Sequence, residues 1–196
     1  EAETVMPELL EAIEKGDFGK VIRSAGVADM EKVPPPRYDL LDIGSYVDVG
    51  LQFSRGCPFK CEFCDITLML GRKVRTKTPE QIMAELEILY NLGWRRAVFF
   101  VDDNFVGNPS KAKQLLQELL PWLEARNRPF EFYTQASVNL SAQAENLDLM
   151  ARCDFTRVFL GIETPDEESL RAAGKLQNVA TDLDVACRKI NEAGLE

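Results

Sequence analysis

The sequence predicts an α/β fold: a partial parallel (β/α) barrel of about four β/α units, preceded by a short helix and a proline-rich linker. Three observations carry this expectation. Apolar runs near residues 47–53, 96–101, 130–135 and 156–163 alternate strictly with helical segments, and such alternation means a parallel sheet with right-handed crossovers. The run Ala-Val-Phe-Phe-Val over 97–101 is almost unbroken, as in a strand covered on both faces. Polar residues follow three of the runs in succession, and in parallel barrels the rim of strand C-termini is the active face.

Taken in order, residues 4–15 place Leu9, Leu10 and Ile13 on one helical face, with Gly16 as a stop. Val21 and Ile22 form a short apolar piece, and Pro34, Pro35 and Pro36 continue neither a helix nor a ladder, so an extended linker is expected. Residues 1–45 therefore read as the tail of an upstream domain plus a tether, and residues 46–196 as the first part of a barrel. Val47 to Phe53 is the first strand and runs into a cysteine loop. Pro79 to Tyr90 is an amphipathic helix in which Ile82, Met83, Leu86 and Leu89 share a face, with Thr78 as N-cap, Pro79 at the first helical position and Gly93 as the end. The second strand ends in Asp102-Asp103-Asn104. A helix from Pro109 to about Arg126 follows, with Pro121 expected to divide it.

The third strand ends in Thr134-Gln135-Ala136-Ser137. A weaker helix near 144–151 leads to the fourth strand and Glu163, and a last helix over 182–193 carries Leu183, Ala186, Cys187 and Ile190 on one side. Cys153 and Cys187 fall on apolar faces and are expected to be buried thiols. A fifth strand would begin at Gly194, so the chain reads as a fragment of a longer protein.

Composition narrows the function classes. A net charge of −9 argues against general nucleic-acid binding, which wants a basic face. No apolar run reaches the roughly 18 residues of a membrane span, and the acidic N-terminus lacks signal-peptide layout. Five cysteines, an odd total with three clustered, argue against a disulfide framework and for a reducing, cytoplasmic setting.

The informative stretch is residues 51–65, Leu-Gln-Phe-Ser-Arg-Gly-Cys-Pro-Phe-Lys-Cys-Glu-Phe-Cys-Asp. Three thiols so close suit a soft metal such as zinc or an iron–sulfur cluster. A structural zinc site closes with a fourth Cys or His, and this chain has no histidine. Three cysteines leave one metal open to an outside ligand.

Cys57-x-x-x-Cys61-x-x-Cys64 directly after a first strand, with Phe63 before the third cysteine, resembles the radical S-adenosylmethionine (SAM) family. The resemblance implies a 4Fe–4S cluster held by Cys57, Cys61 and Cys64, with SAM chelating the unique iron and cleaved by one electron to methionine and a 5′-deoxyadenosyl radical. Arg55 and Lys60 inside the motif are the cations that would favour the thiolates. Phe63 would shield the adenine; the alternative is a core aromatic. The family places the SAM amino group after strand two, where this chain has Asp102, Asp103 and Asn104 in place of the commoner Gly-Gly-Glu, and an Asx turn is the alternative. Gln135 and Ser137 would touch the SAM carboxylate or ribose, or else cap a loop. Glu163 would pair with the ribose hydroxyls, or else cap a helix. The basic stretch Arg72–Lys77 is either a solvated loop, a docking patch for an acidic electron donor such as flavodoxin or ferredoxin, or a clamp on carboxylates.

The runs Pro36-Arg-Tyr-Asp-Leu-Leu, Gln52 to Ile66 and Phe100-Val-Asp-Asp-Asn-Phe-Val-Gly-Asn look like the cobalamin-binding radical SAM subgroup that includes a hopanoid methylase. That subgroup implies a methyltransferase whose upstream domain holds cobalamin and whose substrate is a small or lipid-like molecule carrying an unactivated carbon. The cobalamin signature Asp-x-His-x-x-Gly is absent, so these residues are not expected to hold cobalamin alone. The alternatives are a radical methylthiotransferase, for which no second cysteine set appears, or a non-catalytic iron–sulfur or zinc scaffold or electron carrier.

Overall fold

The computed structural model describes residues 1–17, 19, 21–24 and 26–196. Its centre is a parallel sheet of four strands in the order β1, β4, β5, β6: β1 (Val49–Leu51), β4 (Val98–Phe100), β5 (Phe132–Ala136) and β6 (Phe155–Leu160). The register pairs Leu51 with Phe100, Phe100 with Thr134 and Thr134 with Val158, so consecutive strands end near one rim. The crossover helices are α3 (Pro79–Asn91), α4 (Pro109–Glu124) and α5 (Ala144–Arg152). The other helices are α1 (Ala2–Glu14), α2 (Ile66–Met69), α6 (Glu167–Ala172), α7 (Leu176–Val179) and α8 (Leu183–Glu192).

The core forms where the crossover helices cover one sheet face. Phe53, Phe100, Phe105, Phe132 and Phe155 are all at most 1% exposed. The rings of Phe100, Phe105, Phe132 and Phe155 pack at centroid separations such as 5.2 Å for Phe105–Phe155 and 5.5 Å for Phe100–Phe132. Aromatic rings at these spacings add to the burial of their area. Ile82, Leu86 and Leu89 of α3 and Leu115, Leu116, Leu119 and Leu123 of α4 complete the layer, all fully buried. The opposite face carries Phe99 stacked on Tyr133 at 4.6 Å, with the Arg157 guanidinium 4.7 Å above the Tyr133 ring.

Local rules place the α3 boundary as expected. Thr78 Oγ1 accepts from the Gln81 N–H, and Gln81 Oε1 accepts from the Thr78 N–H at 2.9 Å, a complete capping box. Pro121 does not divide α4. It lies in the last turns with an exposed side chain, and the stripe Leu115–Leu119–Leu123 stays buried across it, so packing outweighs the lost backbone bond.

The N-terminal segment is not a free tether. Ala28, Met30 and Tyr38 are buried, Gln81 Nε2 donates to the carbonyls of Met30 and Val33, and the Tyr38 hydroxyl donates to the Gly50 carbonyl at 2.9 Å. None of the α1 residues is buried, and Met6, Leu9, Leu10 and Ile13 are exposed. Glu196 exchanges two backbone hydrogen bonds with Thr156 and Val158 of β6. This is the pairing a following strand makes. No described helix is long and apolar enough to cross a membrane.

Candidate cofactor site at the strand ends

The cysteine loop leaves the sheet through a small antiparallel ladder, β2 (Ser54–Arg55) against β3 (Arg75–Thr76). The ladder clasps residues 56–74 into a closed loop. Gly56 sits at its neck with φ +95, where a Cβ would lie 2.9 Å from the carbonyl oxygens of Gly71 and Lys73. Only glycine fits that backbone. The Cys57 N–H donates to the Gly71 carbonyl at 3.2 Å, and Arg72 Nη2 donates to the Pro58 carbonyl at 3.1 Å.

Asp102 holds this loop from beneath. It is fully buried, and its carboxylate accepts the backbone N–H groups of Phe53 and Ser54, the former at 3.1 Å. Burial pushes its carboxyl up to about 7, against the downward pull of those two donors. Its neighbour Asp103 points elsewhere, into a cavity of about 300 Å³. Burial pushes Asp103 up as well, and the Gly56 backbone pulls it back.

That cavity is lined by all three clustered cysteines and by Phe63, Asp103, Asn104, Gln135, Ser137 and Glu163. The structure therefore brings together every expected site residue except Asp102. Asn104 stitches two strand ends: its Nδ2 donates to Ser137 Oγ at 3.0 Å, and its Oδ1 accepts from the Ser137 N–H. Glu163 follows the end of β6 with φ +66, a left-handed conformation that is uncommon outside glycine. Phe63 is 59% exposed, which is too open for a core aromatic.

Two polar lining residues escaped the sequence reading. Lys175 is only 6% exposed, its ammonium pairs with Glu163 and it lies 5.5 Å from the Phe63 ring centroid. Gln177 Nε2 donates to Cys61 Sγ at 3.5 Å. Both follow the helix after β6, outside any strand end or recognisable motif. The one available signal was a cation and an amide just past Gly174.

One of the two expected cations, Arg55, serves another purpose. Arg55 is taken up by Gln52, Glu1 and Glu3, and Glu3 is held down at about 2 by that guanidinium. Burial, first of all, raises Cys57, with Cys61 and Cys64 adding to the push. The basic stretch is likewise mostly spent internally. Arg75 binds Glu1 and the carbonyls of Ala28 and Leu70, and Lys77 is buried against Glu85 at 2.5 Å. Of the other two cysteines, Cys153 is fully buried with its thiol pushed up to about 12, whereas Cys187 is only half-buried.

Among the described residues, no three Cys, Asp or Glu groups converge on one point as the ligands of a single ion do. The three thiols instead sit around the wall of a shared cavity.

The family model of the radical SAM superfamily matches residues 51–196. An uncharacterized methyltransferase of Synechocystis is 52% identical over 195 residues, covering 100% of this chain and 36% of the relative. The hopanoid C-2 methylase of Rhodopseudomonas palustris is 40% identical over 168 residues, covering 86% of this chain and 32% of that protein. The solved structure of the cobalamin-dependent S-adenosylmethionine radical enzyme OxsB with aqua-cobalamin superposes with a TM-score of 0.78 at 21% identity, covering 100% of this chain and 32% of OxsB. The chain thus spans about a third of the length of these relatives.

Proposed function

The chain belongs to the radical SAM superfamily, and from that premise we propose that it forms the SAM-cleaving part of a cobalamin-dependent methyltransferase. The observation that carries the reading is the single cavity that gathers Cys57, Cys61, Cys64 and the polar strand ends. The donor set fits a 4Fe–4S cluster. It offers three soft sulfurs and no imidazole, and a cubane takes each cysteine on a different iron, so its ligands stand around a volume rather than around one point. When bound, the cluster supplies one electron to SAM, whose cleavage gives methionine and a 5′-deoxyadenosyl radical.

The chain's own residues bind and orient. Cys57, Cys61 and Cys64 are the ligands, held in place by the β2–β3 clasp and by the Asp102 carboxylate beneath. Asp103 and Asn104 present polar groups where the SAM amino group would lie. Gln135 and Ser137 face the carboxylate or ribose, and Glu163 faces the ribose hydroxyls. Phe63 offers an exposed ring for the adenine edge. Asp102 acts through the backbone that it holds, not through contact with the ligand. Lys175 adds a cation suited to a carboxylate.

The names of the relatives support methyl transfer, and the name of the hopanoid C-2 methylase supports a lipid-like substrate with an unactivated carbon. That OxsB is a cobalamin-dependent S-adenosylmethionine radical enzyme supports a cobalamin held by another part of the whole protein. An external reductant such as flavodoxin or ferredoxin would supply the electron. Anaerobic reconstitution tests the core of this reading. About four irons per chain and 5′-deoxyadenosine formed from SAM and dithionite are expected. Stoichiometric zinc without SAM cleavage would sink it.

A further inference from the structure

Gln177 stands 116 positions from Cys61 in sequence yet donates Nε2–H to its sulfur at 3.5 Å. The segment that carries it is bolted down on two sides. On the cysteine side, the Glu62 N–H donates to the Ala173 carbonyl at 2.8 Å, and Gly174 (φ +67) lies so close that a Cβ there would sit 2.7 Å from the Lys60 carbonyl oxygen. On the sheet side, Asn178 is 1% exposed, and its Nδ2 donates to the carbonyls of Gly161 and Ile162 at 2.9 and 3.0 Å. The Thr181 hydroxyl donates to the Gln177 carbonyl at 2.9 Å. Residues 173–181 therefore form a brace between the end of β6 and the loop that carries Cys61, and Gln177 is the brace residue whose side chain reaches a sulfur.

We propose that Gln177 is a positioning residue that sets the reduction potential of the cluster through its hydrogen bond to the Cys61 sulfur. This rests on the cluster reading given above. Adding an electron raises the negative charge on the ligating sulfurs, so a donor aimed at one of them stabilises the reduced form more than the oxidised form. Asn104 Nδ2 gives one N–H to Ser137 Oγ at 3.0 Å and approaches Cys57 Sγ only at 4.0 Å, against 3.5 Å for Gln177 and Cys61. Gln177 is the stronger donor of the two.

The test is an EPR-monitored redox titration of the anaerobically reconstituted full-length protein, without SAM, using dithionite and mediators. Gln177→Leu removes the donor, and Gln177→Glu keeps the length while substituting an anion. Both variants are expected to keep the wild-type iron content. At a fixed potential near the midpoint, the ratio of reduced to oxidised cluster should fall about tenfold in Gln177→Leu, equivalent to about 59 mV for one electron, and further in Gln177→Glu. If Gln177→Leu fails to fold or load, Gln177→Glu alone decides the matter. Loaded variants that titrate with the wild type overturn the proposal. A wild-type protein that assembles no four-iron cluster overturns the functional reading instead.

Discussion

The Lys175 ammonium is paired with the Glu163 carboxylate in the wall of the cysteine cavity, and the two residues differ sharply in exposure. The Lys175 side chain is 7% exposed and that of Glu163 is 44% exposed. A nearly buried cation with a half-exposed anion can exchange that anion for another carboxylate entering from solvent, at modest cost.

Lys175→Met is therefore expected to weaken SAM binding by about tenfold, the worth of one charge-assisted hydrogen bond. Glu163→Gln keeps an acceptor for ribose and should weaken it less. Equilibrium dialysis with the reconstituted protein measures both. Unchanged affinity in the two variants would remove the pair from the binding site.

Asp102 makes stability depend on pH in a defined direction. Burial raises its carboxyl from the ordinary 3.8 to about 7, so between those values the folded chain holds a proton that the unfolded chain has released. Stability falls as pH rises through that window and levels off above it. Thermal melting of the wild type should show this fall between about pH 4 and about pH 7, with the charge of Asp103 adding to the upward push. Asp102→Asn should show a smaller fall over the same window. Parallel curves would refute the assignment.

Lys77 and Glu85 form an ion pair with side-chain exposures of 3% and 1%, and burial pushes Glu85 up against the pull of Lys77. Lys77→Met should cost about 3–5 kcal/mol, because it strands a carboxylate in the core. Adding Glu85→Leu should recover most of that loss. Urea unfolding of the double-mutant cycle reads the coupling, and additive losses would contradict it.

Gly56→Ala should destabilise the fold by about 2 kcal/mol, since its φ of +95 and two carbonyl oxygens at 2.9 Å leave no room for a methyl group. Iron content after reconstitution should fall as well, because the neck of the loop would shift. Wild-type loading with an unchanged melting temperature would show that the neck is looser than the geometry implies.

What the sequence determined by itself was whatever depends on neighbours along the chain. Apolar runs alternating with amphipathic helices specify a parallel sheet. Thr78, Pro79 and Gln81 specify a helix start, and three close thiols with no histidine specify a soft-metal loop lacking a fourth ligand. The polar residues that close the strands could be named because a parallel sheet brings its strand ends to one rim. The direction in which each side chain turns could not be read this way. Asp102 and Asp103 are adjacent and chemically alike, yet one is buried against the backbone of Phe53 and Ser54 and the other lines the cavity. Pro121 remains within a helix because the buried leucine stripe of α4, packed against other elements, outweighs its local preference. Arg55 and Arg75 look like free cations along the chain, but the fold brings Glu1 and Glu3 against them. Lys175 and Gln177 acquire their roles only when the segment after β6 folds back over the cysteine loop, and no local periodicity encodes a contact spanning 116 positions. The three cysteines thus name the chemistry, while the tertiary structure decides which groups surround it.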